Sequence, residues 1–295
     1  MMERVLHQPR SWNSWGKRAV LAPQQHGAAR AVLVVLGVLL SGLALVFWFR
    51  LPLSSSIWPT PLSNGSFLAA VVASIAVPVL FIAWTGDLSG VRAGAVSLGA
   101  IYGGFVLASI PPLLAGAGAF LPFLLVSAIA VVGNVGMFRW AQRFDDHDKR
   151  TPPAVVLWMF VVSAILLIIP GVAALLGVDF LPTPLPVETL RLYGAIYVGA
   201  GALFLWALAR PTWSNARVVL VAFLAYDVAR LIVFPQFLPR LLADPAGVRI
   251  AAWIYWAAVI VSGVIAAVFL LAAPNWRLWR MRTDQSERGG ERSVG

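Results

Sequence analysis

Of the chain's 295 residues, 60% are hydrophobic and only 12% carry a charge. Soluble domains have about twice that share of charged residues, so the composition excludes an ordinary water-soluble fold and places the chain in lipid. The net charge of +10 raises nucleic acid as a partner, while the absence of cysteine excludes disulfides, thiolate nucleophiles and Cys-ligated metals.

A bilayer core offers backbone groups no water, so long apolar runs there must be helices. Eight runs qualify, at about 31–49, 66–84, 93–110, 120–138, 154–176, 192–209, 217–234 and 250–272. AVLVVLGVLLSGLALVFWF and AVVLWMFVVSAILLII are apolar on every side, which excludes the alternating strands of a membrane barrel. The expected fold is an all-α polytopic membrane protein with eight transmembrane helices.

In chain order, residues 1–30 read as a tail without a sustained helical stripe. The first span ends at Arg50 with no small-residue cleavage site, so it reads as an uncleaved helix. An outer loop carries Pro59 to Leu62 (PTPL), and the second span contains Pro78, whose ring should kink it. The turn TGDLSGVRAG leads to a third span with Gly99 and Gly103 that closes at Pro111; the fourth contains Gly133, Gly136 and a deep Asn134, read as an interhelix hydrogen bonder. Residues 31–140 form the first four-helix unit.

The segment 141–153 is a polar linker. Its Asp145, Asp146, His147 and Asp148 are flanked by Arg143, Lys149 and Arg150, which reads as a solvated loop of self-balancing charge instead of a metal site. The second unit, 154–276, repeats the plan of the first. Pro182 to Leu185 repeats PTPL at a separation of 123, ARPTWSNARV falls opposite TGDLSGVRAG, and Pro235 matches Pro111. Four spans per half make this a parallel duplication. Residues 277–295 have the composition of a solvated tail.

Charge placement decides what the positive balance means. With the N-terminus in the cytoplasm, 17 of the 22 Lys and Arg residues fall inside, and Arg50, Arg191, Arg240 and Arg249 fall outside. That bias is the positive-inside pattern, so the expected partner is the lipid bilayer and not nucleic acid, with both termini cytoplasmic at the cell's inner membrane. Trp48, Trp58, Trp84, Trp140, Trp158, Trp206, Trp213, Trp276 and Trp279 lie near span ends and read as interfacial anchors. Ala195, Gly199 and Ala202 join the glycines above as helix-packing positions.

One span breaks the apolar rule. Tyr226-Asp-Val-Ala-Arg230 places two full charges in the seventh, at an insertion cost of roughly 2.5–3.5 kcal/mol each, which the surrounding apolar residues only just offset. Arg230 could snorkel outward with Asp227 balancing it, the pair could bond another helix, or both could line a polar pocket open to the outside. Glu188 and Arg191 sit at matching depth in VETLRLYGAIYVGAG, three apart on one helical face. If the sixth and seventh helices are neighbours, Glu188 would meet Arg230 and Arg191 would meet Asp227.

The sequence E-x-x-R followed by Tyr-Gly, a Gly-rich helix and a late Arg in the next helix resembles an uncharacterised family of bacterial four-helix integral-membrane proteins. Glu188, Arg191, Tyr193, Gly194, Gly199, Gly201 and Arg230 carry the resemblance, over the second half only. SNGSFLAAVVAS in the first half has neither acid nor arginine. The resemblance implies a fold and no activity.

The expected function is that of a non-catalytic membrane component that binds a membrane protein partner or assembles as a homo-oligomer, with no cofactor and no metal. Glu188, Arg191, Tyr226, Asp227 and Arg230 are its candidate ligand-binding residues. The alternative is a transporter or binder of a small molecule, anion or lipid. A membrane enzyme ranks last, because no set of nucleophile, acid and base is recognisable and His7, His26 and His147 lie outside the spans.

Overall fold

The computed structural model describes residues 23–61, 64–178, 185–243 and 246–272. Every regular element among them is helical: α1 Pro23–Trp48, α2 Pro52–Ile57, α3 Gly65–Thr85, α4 Val91–Leu114, α5 Phe120–Ala141, α6 Ala154–Leu175, α7 Val187–Ala209, α8 Trp213–Ala243 and α9 Ala246–Ala272, with a single 3-10 turn at Leu88–Gly90. Eight of these, all but the short α2, are long and apolar enough to cross a membrane. Leu62 of the first PTPL copy and Pro182 to Pro184 of the second, both chain ends, Trp276 and Trp279 lie outside the described residues, as do the side chains of His26 and Arg240.

The helices pack as antiparallel pairs, α1 on α3, α4 on α5, α6 on α7 and α8 on α9, and the two halves meet where α4 packs on α7 and α3 on α8. Within each half the central helices barely touch: α3 scarcely meets α4, and α7 scarcely meets α8. The centre is therefore α3, α4, α7 and α8, with between 39% and 50% of each span buried, against 17% to 22% for the outer four. Hydropathy runs the other way for two of them. Central α4 and α7 have a mean hydropathy of 1.7, while peripheral α1 and α6 reach 2.7. Lipid tails are as apolar as leucine, so lipid-facing helices can be uniformly greasy, whereas buried ones gain more from close backbone contact.

Glycine supplies that contact. A Cβ on Gly199 would come within 2.1 Å of Ile101 Cγ1 and 2.9 Å of the Ser97 carbonyl oxygen. The α4–α7 crossing is thus set by the missing side chain, and the Ser97 hydroxyl donates across it to the Gly199 carbonyl at 2.9 Å. Gly194 does the same for α6, its Cβ position lying 2.6 Å from the Gly171 carbonyl oxygen. The expected stripes at Gly99, Gly103, Gly133 and Gly136 do not make such contacts: only Gly99 has any neighbour within 4 Å, Asn134 Cβ at 3.8 Å.

Several expectations are corrected here. α1 begins by Pro23, inside the expected tail, and Arg30 from that first stretch donates to the Ala83 and Trp84 carbonyls at 2.8 and 3.0 Å, satisfying the end of α3. Trp58 is not an anchor but a core residue, edge-on to Phe105 at 5.9 Å and Phe123 at 6.1 Å, and Trp213 is buried too. Trp84 and Trp158 remain exposed on the outside of the bundle. Asn134 donates to its own helix, at the Ala130 carbonyl, and its Oδ1 is buried without a partner among the described residues. α8 continues through Pro235 and Pro239, past the expected end at 234.

Replacing Gly199 with Ala overpacks a backbone crossing and is expected to destabilise the protein by about 1–3 kcal/mol, while Gly103→Ala is neutral or mildly stabilising. Thermal unfolding of the two variants in detergent checks this, and equal melting temperatures would contradict it.

Candidate functional site

The charged pair of the seventh span lies on α8, and its hydrogen-bond partners come from α9. Asp227 is 2% exposed and accepts from the Ser262 hydroxyl at 2.8 Å. Gly263 makes room for it, since a Cβ there would sit 3.3 Å from Asp227 Cβ. Arg230 is 5% exposed, so its guanidinium does not snorkel out of the protein. Its Nε donates to the Tyr255 hydroxyl at 2.9 Å, and that hydroxyl lies 2.9 Å from the hydroxyl of Tyr226.

Three rings surround the guanidinium. Its carbon lies 5.4 Å from the Trp256 ring centre, 5.6 Å from Phe237 and 5.7 Å from Tyr255. At roughly 0.5–2 kcal/mol each, three cation–π contacts match the roughly 2.5–3.5 kcal/mol cost of inserting an arginine. Aromatic faces thus do what a carboxylate was expected to do. Among the described residues, Arg230 and Asp227 form no ion pair with each other, and Nη1 of Arg230 is buried with no hydrogen-bond partner.

The crossed network with Glu188 and Arg191 is not formed. The turn at 210–212 is short, yet it does not make α7 and α8 neighbours along their length; α7 lies against α6 and α4, and α8 against α3 and α9. Arg191 is half-buried near Gly177 at the end of α6. Glu188 lines a cleft of about 270 Å³ with Thr60, Thr189, Pro112, Pro186 and Phe120, at the membrane face where α3 and α7 begin. Tyr226 is the link to the interior, packing against the core that contains Phe67, Tyr193 and Ile196. Of the five candidates, Tyr226 and Arg230 meet at the Tyr255 hydroxyl, Asp227 bonds separately to Ser262 between the same two helices, and Glu188 and Arg191 lie elsewhere. Sequence reasoning missed Tyr255, Trp256 and Ser262, although Tyr255 and Ser262, seven apart, mark one polar face on a helix that is apolar beyond Arg249.

The opposite face of the bundle holds the second polar constellation, and it corrects the reading of the linker as a merely solvated loop. Asp146 pairs with Arg92, whose Nε donates to the Ser89 carbonyl, in the turn between α3 and α4. Two residues on, the Asp148 N–H donates to Ser214 Oγ at 2.8 Å, and the Asp148 and Arg150 carbonyls accept from the first N–H groups of α8, Ser214 at 3.1 Å and Trp213 at 2.7 Å. Those amides have no partner inside their own helix. The linker therefore straps together the two turns that the sequence sets opposite each other. Among the described residues, no three His, Asp or Glu side chains converge to hold a metal ion.

These features define a multi-pass helical membrane protein with a buried cation in the far half of α8 and a strapped loop at that helix's start. Comparison with family models, characterised proteins and solved structures gave no match.

Arg150 grips Asp148 through Nε and Nη2, and this hydrogen-bonded cation holds the Asp148 carboxyl below the ordinary carboxylate range. A depressed folded-state pKa contributes stability that is present above the unfolded value, near 4, and is lost as pH falls through the lower folded value. The Asp148–Arg150 pair is therefore intact at neutral pH and weakens only in acid. Asp148→Asn is expected to lower the melting temperature at pH 7 by roughly 1–3 °C, a modest figure because the pair is partly exposed, and to flatten its dependence on acid. Melting curves between pH 7 and pH 3 that are the same for both proteins would contradict this.

Proposed function

We propose that the chain is a non-catalytic multi-pass membrane protein that binds a small group at the α8–α9 constellation, reached from the face opposite the linker. The observation that carries this reading is Arg230, a cation buried in a spanning helix beside rings and hydroxyls, with Nη1 unpartnered and no carboxylate against it among the described residues. Buried ionisable groups in spans are costly and are retained where they act on a ligand, an ion or a proton. Transport of the bound group is the second reading, favoured by Asp227, a deeply buried carboxyl one helical turn away whose only side-chain donor among the described residues is Ser262.

The charge bias of the loops supports placing the linker and both chain ends in the cytoplasm of a bacterial cell, with the site facing outward. The packing scheme supports a duplicated four-helix unit, because a shift of four spans carries the set of packed pairs onto itself: α1–α3 onto α6–α7, α4–α5 onto α8–α9, and α4–α7 onto α8–α3. In that reading the second copy keeps the site and resembles the bacterial four-helix family, while the first copy serves as its packing partner.

Native mass spectrometry of the protein extracted gently from membranes tests the binding role. The wild type is expected to retain a bound small molecule or lipid that Arg230→Ala loses, with the fold of both verified by circular dichroism. Identical adduct patterns in the two would contradict it.

A further inference from the structure

Resting on the α8–α9 reading above, we propose that the group bound at Arg230 is a singly charged phosphate oxyanion, of the kind carried by a phosphodiester headgroup or by free phosphate. The first argument is a surplus of donors. Tyr255 accepts from Arg230 Nε and shares one hydrogen bond with Tyr226. Whichever of the two phenols donates in that bond, the other keeps a hydroxyl hydrogen with no acceptor among the described residues. Nη1 of Arg230 adds further N–H groups without an acceptor. The site is thus complete only with an added acceptor that can take a guanidinium and a phenol together, which oxyanions with several exposed oxygens do well.

Depth agrees with this. α8 starts at Trp213 on the linker face, and at 1.5 Å per residue Arg230 lies about 25 Å further along, in the far half of a span that runs to Pro239. The nearer headgroup layer is thus the one opposite the linker. The second argument is access. Tyr255 is the most exposed of the rings around the guanidinium, at 37%, and the bond between the two phenols lies at the protein's surface. Displacement of the Tyr255 ring is the route by which an oxyanion reaches Nη1.

The test uses full-length protein in dodecyl maltoside, with binding read from the concentration dependence of thermal stabilisation. Four additions are compared: inorganic phosphate, phosphatidylglycerol, diacylglycerol and acetate. Stabilisation by phosphatidylglycerol alone identifies a lipid headgroup, and stabilisation by inorganic phosphate as well identifies the free anion as sufficient. In either case Arg230→Gln is expected to weaken apparent affinity about tenfold or more, as loss of a charge-assisted hydrogen bond requires. Should that variant fail to fold, the double variant Tyr226→Phe and Tyr255→Phe keeps the rings and removes the hydroxyls, and it too is expected to bind several-fold more weakly. The proposal is overturned if phosphate and phosphatidylglycerol stabilise the wild type no more than diacylglycerol does, or stabilise the variants equally. If acetate stabilises as strongly as phosphate, and Arg230→Gln abolishes it, phosphate recognition falls while binding at Arg230 stands.

Discussion

A bilayer interior contains almost no water, so each polar group carried into it has to find its partner within the protein. That constraint runs through the whole structure. The end of α3 is satisfied by Arg30 from the neighbouring helix. The Ser97 hydroxyl spans the close α4–α7 backbone crossing to reach the Gly199 carbonyl. The first amides of α8 are met by the linker's carbonyls. Asn134, Asn215 and Arg217 also keep a buried polar atom without a partner among the described residues, and Arg230 stands apart from them as a 5% exposed cation whose charge is offset by three aromatic faces while part of its hydrogen-bonding capacity is left over. Aromatic faces can lower the cost of a buried cation, but they cannot accept the N–H groups that a carboxylate or phosphate would.

The same constraint explains the division of labour between helices. The four peripheral spans face lipid and need only be long and apolar, and they account for many of the exposed large side chains, such as Ile129, Val132 and Leu166. The four central spans bring the halves together through α4–α7 and α3–α8, where small residues and a few hydrogen bonds replace bulk. The linker ties the turns of both halves at one membrane face, and the α8–α9 constellation lies in the far half of the same long helix. α8 thus starts with its first amides met by the linker and by Thr212, and carries the unpartnered Nη1 of Arg230 further along.

The spans are legible in the sequence because a lipid-facing or buried helix needs an unbroken apolar run, and all eight are found where such runs lie. Their ends are less so. Pro235 and Pro239 do not stop α8, because a proline within a spanning helix need not end it, and the first turn of α7 accommodates Glu188 and Arg191. The weight given to Asp227 and Arg230 rests on the cost of charge in lipid, a property of single residues; in the structure Tyr226 and Arg230 meet at Tyr255, while Asp227 bonds separately to Ser262. Their partners depend on which helices are neighbours, which a turn of three residues does not determine. Trp58 departs from its expected role as an anchor for a related reason. Position near a span end is visible in sequence, whereas the direction in which an indole points is not.

The central claim is that α8 carries Arg230 across the membrane, away from the linker. Because the chain has no cysteine, single substitutions at two exposed positions report this without background: His147→Cys in the linker and Gln236→Cys, nearly two helical turns beyond Arg230. In intact cells treated with a membrane-impermeant maleimide, the thiol introduced at position 236 is predicted to react, and the one at position 147 to react only after the membrane is opened. Labelling of both positions from the same side would contradict the account.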